Sequence, residues 1–366
     1  MITIKTPGKL MLAGEVSVLQ HGNRCIVMAL DKHVIASIQA SPVITLHAPD
    51  VDLSQIQARW QSPQLIALTA LTSDQQKTFL TVQKALEVVL CYIQEQGIQT
   101  INTFSLTIDS EISSIKVSNG SIVKPGLGSS AATTVAVVSA VLAFHDFDIA
   151  SSQAKDIIFK LSYLAHIQSQ GSMGSGFDIA AATYEKTIIF QRADPMWLIK
   201  KIQHTSTLTE LVSKPWPGLA ITPITLPAEY RILVGFVGTS ASTSDIVAAI
   251  QKFKATNPEK YAELTTAINA VVTALINAIN TNNHHEIIEL IKQHRMLLQQ
   301  LSQACDNKLE TPELTKLIDI AESFGAGAKF SGAGGGDCGI AVCFDQTRVD
   351  NIKQAWSKHH IVLLEV

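Results

Sequence analysis

Cysteine is scarce in this sequence, and where it occurs it stands alone. Cys25, Cys91, Cys305, Cys338 and Cys343 are odd in number, and none forms a CxxC pair. A zinc site or a disulfide framework is therefore not supported, and a reducing cytoplasm is expected. Excess charge is also missing. The 28 Lys and Arg against 31 Asp and Glu leave a formal net charge of −3. No bulk field draws such a chain to nucleic acid or to an anionic membrane. Met1 to Pro7 carries no signal-peptide apolar core. The longest helical apolar run contains Thr, Ser and His and is too short for a bilayer, so no membrane partner is expected. A P-loop is absent too. Gly8-Lys9 is followed by Leu10, and no Lys follows Gly128. Neither an internal repeat nor a low-complexity segment is found.

What the sequence has is glycine in three places. Twelve of its 20 glycines fall within 126–128, 171–176 and 325–339. Three such loops in one chain argue for one ligand wrapped by several backbone turns. The length of 366 residues suggests two domains, and 46% hydrophobic content supplies an ample core.

The first cluster is Lys124-Pro125-Gly126-Leu127-Gly128-Ser129-Ser130-Ala131-Ala132, followed by an apolar run to Phe144. The run is too long for a typical strand and reads as a buried helix. A glycine loop entering a helix N-terminus offers free N–H groups and the positive end of a dipole to an anion. Ser129 and Ser130 add hydroxyls for a phosphate oxygen or a metal ion. Ser129 alone also suits an ordinary N-cap. Gly126 to Ala131 satisfies the loose dinucleotide fingerprint, with Asp146 at about the right spacing. Yet residues 116–125 are polar and end in Pro, where that motif needs a buried strand. A nicotinamide-dependent oxidoreductase stays as a rival reading.

Four other stretches carry candidate chemistry. Lys9 lies beside the Pro7-Gly8 turn, in Lys5-Thr-Pro-Gly-Lys-Leu-Met-Leu-Ala-Gly14-Glu15. His166 to Ala182 is a helix end, a glycine loop with Ser175, and Asp178 leading small residues into another helix. Asp178 suits either an N-cap or a carboxylate facing phosphates. Lys329 to Val342 reads strand, loop, strand, with seven glycines between 325 and 339, including Gly334 and Gly335. Backbone so arranged can be held against a phosphate chain. Gly238 to Asp245 is a hydroxyl cluster containing Ser242, either caps or a substrate pocket.

The remaining pattern places short strands at 2–6, 10–19, 25–31 and 33–40, a helix at 73–96 and a strand at 104–109. Helices follow from Ser129 and over about 151–170, then a strand at 187–191. Lys214-Pro-Trp-Pro-Gly218 is the best linker candidate. It divides the chain into 1–215 and 216–366. Beyond it come a strand at 231–237, helices near 243–254, 258–281, 284–304 and 312–324, strands at 328–331 and 339–344, a helix near 347–358 and a strand at 361–365. The class is α+β.

These blocks, in this order, resemble the GHMP small-molecule kinase family over nearly the whole chain. Pro-Gly-Lys…Gly-Glu, Gly-Leu-Gly-Ser-Ser-Ala-Ala and Gly-Ala-Gly-Gly-Gly look like its three motifs. Within the family, Ala165 to Ala182 and Ser331 to Cys338 are similar to the phosphomevalonate kinases; mevalonate kinases more often have glycine where Asp337 stands. The resemblance implies an N-terminal domain like ribosomal protein S5 domain 2 and a ferredoxin-like C-terminal domain, with ATP and substrate between them. It implies Lys9 and Asp178 as the catalytic pair. It implies residues 125–131 (Pro125, Gly126, Leu127, Gly128, Ser129, Ser130 and Ala131) against ATP, and the Ser130 hydroxyl assisting Mg²⁺. Lys9, Lys124, Ser175, Asp178, Ser242, Gly334 and Gly335 are expected around the acceptor, 5-phosphomevalonate. Mevalonate kinase, another kinase of the family, or a non-catalytic sensor on the same fold are the alternatives. A monomer or homodimer is expected. Two departures stand out: Pro125 where Thr is expected after Lys124, and Ser172-Met173 where the family often has Lys and a small or apolar residue. The second leaves open which cation meets the substrate phosphate.

Overall fold

Alternating burial in the first forty residues builds one long antiparallel pair. Ile2–Ala13 lies against Arg24–Ala40, in a computed structural model that describes residues 1–116, 122–123, 125–240 and 243–365. The sequence predicts breaks at Pro7-Gly8 and Asp31-Lys32, but both strands run through. Pro7 is tolerated because Ile2–Ala13 pairs with Arg24–Ala40 alone, and the register shifts between Pro7 and Lys9. Lys124 and Ser242, expected at the acceptor, lie outside the described residues.

The first sheet has eight strands. Its path runs Ala220–Pro223, Ile188–Gln191, Arg24–Ala40, Phe104–Ser110, Ile44–Ala48, Leu53–Gln61 and Gln64–Ala67, with Ile2–Ala13 on Arg24–Ala40. Ile44–Ala48 runs parallel to Phe104–Ser110; the other pairs are antiparallel. The expected helices form as Ser73–Glu95, Ser129–Phe144 and Ser152–Gln170, with Phe177–Tyr184 after the second glycine loop. The Gly126 loop is preceded by a short antiparallel pair, Ile115–Lys116 with Ile122–Val123, and not by a buried parallel strand. That removes the dinucleotide-fold reading.

The second sheet has four strands, in the order Gly327–Phe330, Gly336–Cys343, Arg231–Ser240, Val362–Leu364, all antiparallel. Counted along the chain from Arg231, that order is second, third, first, fourth, the ferredoxin-like arrangement. Helices Thr243–Thr256, Pro258–Asn280, His284–Ala304 and Pro312–Ser323 lie between its first two strands in sequence, and Gln346–Lys358 between its last two.

The change of sheet comes later than Lys214-Pro-Trp-Pro-Gly218. Ala220–Pro223 still pairs with Ile188–Gln191. Trp216 is buried against Phe159 and Tyr163, so this stretch is packed structure and the passage between sheets is 224–230. Pro258–Asn280 also corrects an expectation, being long and apolar enough by composition to cross a membrane. Here it packs against His284–Ala304 and Arg24–Ala40, and its Val271, Val272, Leu275 and Ile279 join the core of the first domain. The two domains thus share apolar packing.

Candidate active site

Two helices begin at the same cleft in the same way. Ser129–Phe144 is preceded by Gly128 at φ 83°, and Phe177–Tyr184 by Gly176 at φ 89°. Neither glycine offers a side-chain cap, so the first-turn N–H groups at Ser129 stay available to an anion, while at Phe177 one of them, Ile179 N–H, is taken by Asp178. A Cβ on Gly128 would lie 2.8 Å from Lys9 Cγ, and one on Gly176 2.8 Å from Tyr163 Cε2. Both positions combine a left-handed backbone with close approach, which only glycine meets. The N-cap positions considered for Ser129 and Asp178 therefore fall to glycines, although Asp178 still accepts a first-turn N–H. Ser129 is the first helical residue, and Ser130 Oγ is buried without a hydrogen-bond partner.

The cleft has a volume of about 480 Å³. Lys9, Pro125, Gly126, Gly128, Ser129, Ser130, His166, Ser175 and Asp178 line it, with Ser331 to Gly334 and Asp337 from the second domain. Lys9 is tied to the first loop twice. Its main-chain N–H donates to Leu127 O and its Nζ to Gly126 O, each at 2.8 Å. Its Nζ also stands 5.8 Å from the centre of the Phe177 ring. Asp178 Oδ1 accepts from Ile179 N–H at 3.0 Å. No ion pair joins Lys9 to Asp178 among the described residues; they share the cleft and not a contact.

The third loop is pinned to the first domain at three points. Ser331 Oγ donates to Met11 O at 2.9 Å, Lys329 pairs with Glu15, and Asp337 Oδ2 accepts Gly126 N–H at 2.7 Å. Gly126 thus has Lys9 on its carbonyl and Asp337 on its N–H.

The comparisons with known proteins agree with this geometry. Residues 81–186 match the GHMP kinases N terminal domain and residues 275–362 the GHMP kinases C terminal domain. A phosphomevalonate kinase of Streptomyces sp. (strain CL190) is 31% identical, over 96% of this chain and 92% of its own length. The chain belongs to the GHMP kinase family. Within it, the chain is most like the phosphomevalonate kinases. The structure of Streptococcus pneumoniae phosphomevalonate kinase in complex with phosphomevalonate and AMPPNP has a TM-score of 0.83 and 26% identity, covering 100% of this chain and 99% of that one. A Lin0012 protein from Listeria innocua has a TM-score of 0.87 and 30% identity, covering 99% and 96%.

In this GHMP kinase two residues expected against ATP, Leu127 and Ala131, do not line the cleft. Leu127 and Ala131 turn their side chains into the core, at 1% exposure each, because the apolar face of the loop must be buried. Gly335 does not line the cleft; its N–H is spent on Leu309 O at 2.7 Å, which leaves Gly334 as the neighbour that does.

Sequence reasoning missed the floor of the cleft. Glu15, Lys329 and His294 are fully buried together; His294 Nε2 accepts Gly14 N–H at 3.0 Å and lies 3.5 Å from Glu15 Oε2. Burial pushes the Glu15 carboxyl up, and the Lys329 charge pulls it back. Burial also pushes the Lys329 ammonium down, with Glu15 opposing. His294 is held well below the usual imidazole range, first by burial and then by the Lys329 charge. The signal available in sequence was Gly14-Glu15 directly after an apolar strand. A second, smaller cavity of about 160 Å³ opens on the other side of Ser129 and Ser130, between Asp50-Val51, Thr78, Ile108 and Ser110.

Proposed function

We propose that this enzyme transfers the γ-phosphoryl group of MgATP to the phosphate of 5-phosphomevalonate, giving 5-diphosphomevalonate and ADP in the mevalonate route to isoprenoids. The observation that carries the reading is the pair of helix N-termini, each entered through a left-handed glycine, Gly128 and Gly176, that open on one cleft. Each suits a phosphate, so the cleft suits two phosphorylated ligands at once. An acceptor with a neutral hydroxyl needs only the first.

Phosphoryl transfer asks the protein for position and charge neutralisation more than for covalent help. We place the donor phosphates at residues 125–131 and the adenosine in the adjoining smaller cavity, which shares Ser129 and Ser130 with the main cleft. Lys9 stands beside the loop carrying the donor and faces the transferred group. The acceptor phosphate has a second pKa of about 6, so little deprotonation is required. Asp178 takes a residual proton or orients Lys9. Among the described residues, Lys9 is the lysine that lines the cleft, against the carboxylates of Asp178 and Asp337; Glu15, also in the lining, is paired with Lys329. Two anionic ligands therefore need further positive charge.

Mg²⁺, when bound, supplies that charge on the phosphate oxygens. Ser130 fits as its protein ligand because the hydroxyl is buried and unpartnered. Among the described residues no cluster of three His, Cys, Asp or Glu forms a cation cage. That suits an ion held mainly by nucleotide phosphates and water. Unpaired cysteines fit a reducing cytoplasm, and the cleft is built from one chain, as a monomer or a homodimer would present it.

The test is a ³¹P spectrum of the reaction with coupled ADP detection. Phosphomevalonate should give a diphosphate product in equal amount to ADP. Mevalonate, homoserine and galactose should give no comparable turnover. Turnover with mevalonate alone would make the protein a mevalonate kinase, and none with any acceptor would make it a ligand-binding protein of the same fold.

A further inference from the structure

Among the described residues, four basic side chains other than histidine are buried below a tenth of their surface: Lys160, Arg192, Arg295 and Lys329. Three have a carboxylate. Lys160 lies 2.6 Å from Asp156, Arg295 lies 2.6 Å from Glu310, and Lys329 meets Glu15. Arg192, at 6% exposure, has no carboxylate within ion-pair distance among the described residues. Its side-chain bonds go to main-chain carbonyls. Nη1 donates to Leu19 O at 3.1 Å and Nη2 to Gly174 O at 3.4 Å, and Nε is buried without a partner. A buried charge without a counter-ion is costly, and it persists where something else compensates it.

Both carbonyls belong to residues that line the cleft. Gly174 O is held from behind a second time, by Tyr163 OH at 2.6 Å. In a trans peptide the next N–H points opposite to the carbonyl. With Gly174 O turned onto Arg192 and Tyr163, the Ser175 N–H faces the cleft side, one residue before the Gly176 helix start. Ser175 N–H has no partner among the described residues. The buried Arg192 guanidinium thus stands behind the Gly174-Ser175 peptide, with the Ser175 N–H and the Gly176 helix start on the cleft side.

We propose that Arg192 is the counter-charge for the acceptor's oxyanion: it turns the Ser175 N–H toward the cleft and sets the potential that selects a phosphomonoester or carboxylate there over a neutral group. Arg192 acts through the Gly174-Ser175 peptide, as a positioning residue. The inference rests on the phosphoryl-transfer reading above and supplies the cation that the motif at Ser172-Met173 does not.

The experiment compares wild type with Arg192→Gln and Arg192→Lys in steady-state kinetics, AMPPNP calorimetry and thermal melts. Arg192→Gln should raise KM for phosphomevalonate by about tenfold to a hundredfold, the range of one charge-assisted contact. The AMPPNP Kd should stay within about twofold, Arg192→Lys should recover most of the loss, and Arg192→Gln should melt no lower than wild type, since it removes an unpaired charge. Weaker mevalonate inhibition in the same variant assigns the contact to the carboxylate, and unchanged inhibition assigns it to the phosphate. An unfolded or less stable Arg192→Gln, a parallel loss of nucleotide affinity, an Arg192→Lys no better than Arg192→Gln, or an unchanged acceptor KM would overturn the proposal. If wild type turns over neither acceptor, the reaction reading fails separately. Calorimetry with inorganic phosphate then decides: binding that Arg192→Gln loses supports the inference, and equal or absent binding overturns it.

Discussion

Gly126 sits where two domains and two charges meet. A Cβ there would come 2.3 Å from Asp337 Oδ2, while its N–H already donates to that oxygen and its carbonyl accepts from Lys9. Gly126→Ala should therefore weaken nucleotide binding by about tenfold, on the scale of one lost charge-assisted hydrogen bond. Adding Asp337→Gly should restore part of it, because the clash disappears with the carboxylate. Calorimetry with AMPPNP on the single and double variants checks this; a double variant no better than Gly126→Ala would show that the clash is not the cause. Asp178→Asn keeps the shape of the site and removes a charge. Turnover should fall about a hundredfold or more with AMPPNP binding retained. Lys9→Met should likewise reduce turnover far more than ATP affinity. At this scale the sequence was most legible where a residue type has one use. The glycine clusters stood out by their density, and within them Gly128 and Gly176 prove to hold positions whose φ and crowding together only glycine meets. Arg192 and Lys329 did not stand out, because a lone basic residue just after a strand or within a short one says nothing of burial or of partners.

At the scale of elements, the third loop is seated and not floppy. Gly334 has φ 83°, and a Cβ on it would lie 2.6 Å from Leu309 O. Gly334→Val must move main chain, since a carbonyl cannot swing aside as a side-chain tip does. It should lower ATP affinity and cost about 1–3 kcal/mol of stability. Chemical denaturation and calorimetry on the same sample separate the two effects. Unchanged values in both would mean that the loop is free of its neighbours. Helices with strong apolar period were legible in sequence, and so were the C-terminal strands with their continuous apolar runs. Ile44–Ala48, Leu53–Gln61 and Gln64–Ala67 were not; their exposed faces carry Gln, Ser, His and Arg, which mask the alternation. Two prolines and a glycine made 214–218 look like a linker, but the buried Trp216 indole donates to Leu211 O and anchors it. Pairing partners, and not local composition, decided these cases.

Across the whole molecule, the domains are joined beneath the cleft by Glu15, Lys329 and His294. His294 is neutral in the folded chain, its pKa held well below the ordinary 6.5. Below about pH 6.5 the unfolded chain takes up a proton that the folded chain refuses. Stability from this group is therefore present above that pH and is lost on acidification, with a slope of up to about 1.4 kcal/mol per pH unit. Glu15, with a raised pKa, works in the opposite sense from its ordinary 4.5 upward, contributing stability that is lost as pH rises. His294→Gln removes the histidine's share and keeps an acceptor for Gly14 N–H. Its melting temperature should fall less than that of wild type between about pH 6.5 and 5; equal falls would show that His294 is protonated when folded. The ferredoxin-like strand order was implied by family resemblance and the shared core was not foreseen, since neither sheet order nor domain contact has a local signature.

The most direct measurement of the central claim is the ratio of kcat/KM for phosphomevalonate to that for mevalonate. A cleft with two phosphate-ready helix termini loses a charge-assisted contact of about 1.5–3 kcal/mol, and its in-line alignment, when the acceptor phosphate is removed. The ratio should exceed about a hundredfold. Equal specificity constants, or a preference for mevalonate, would contradict the account.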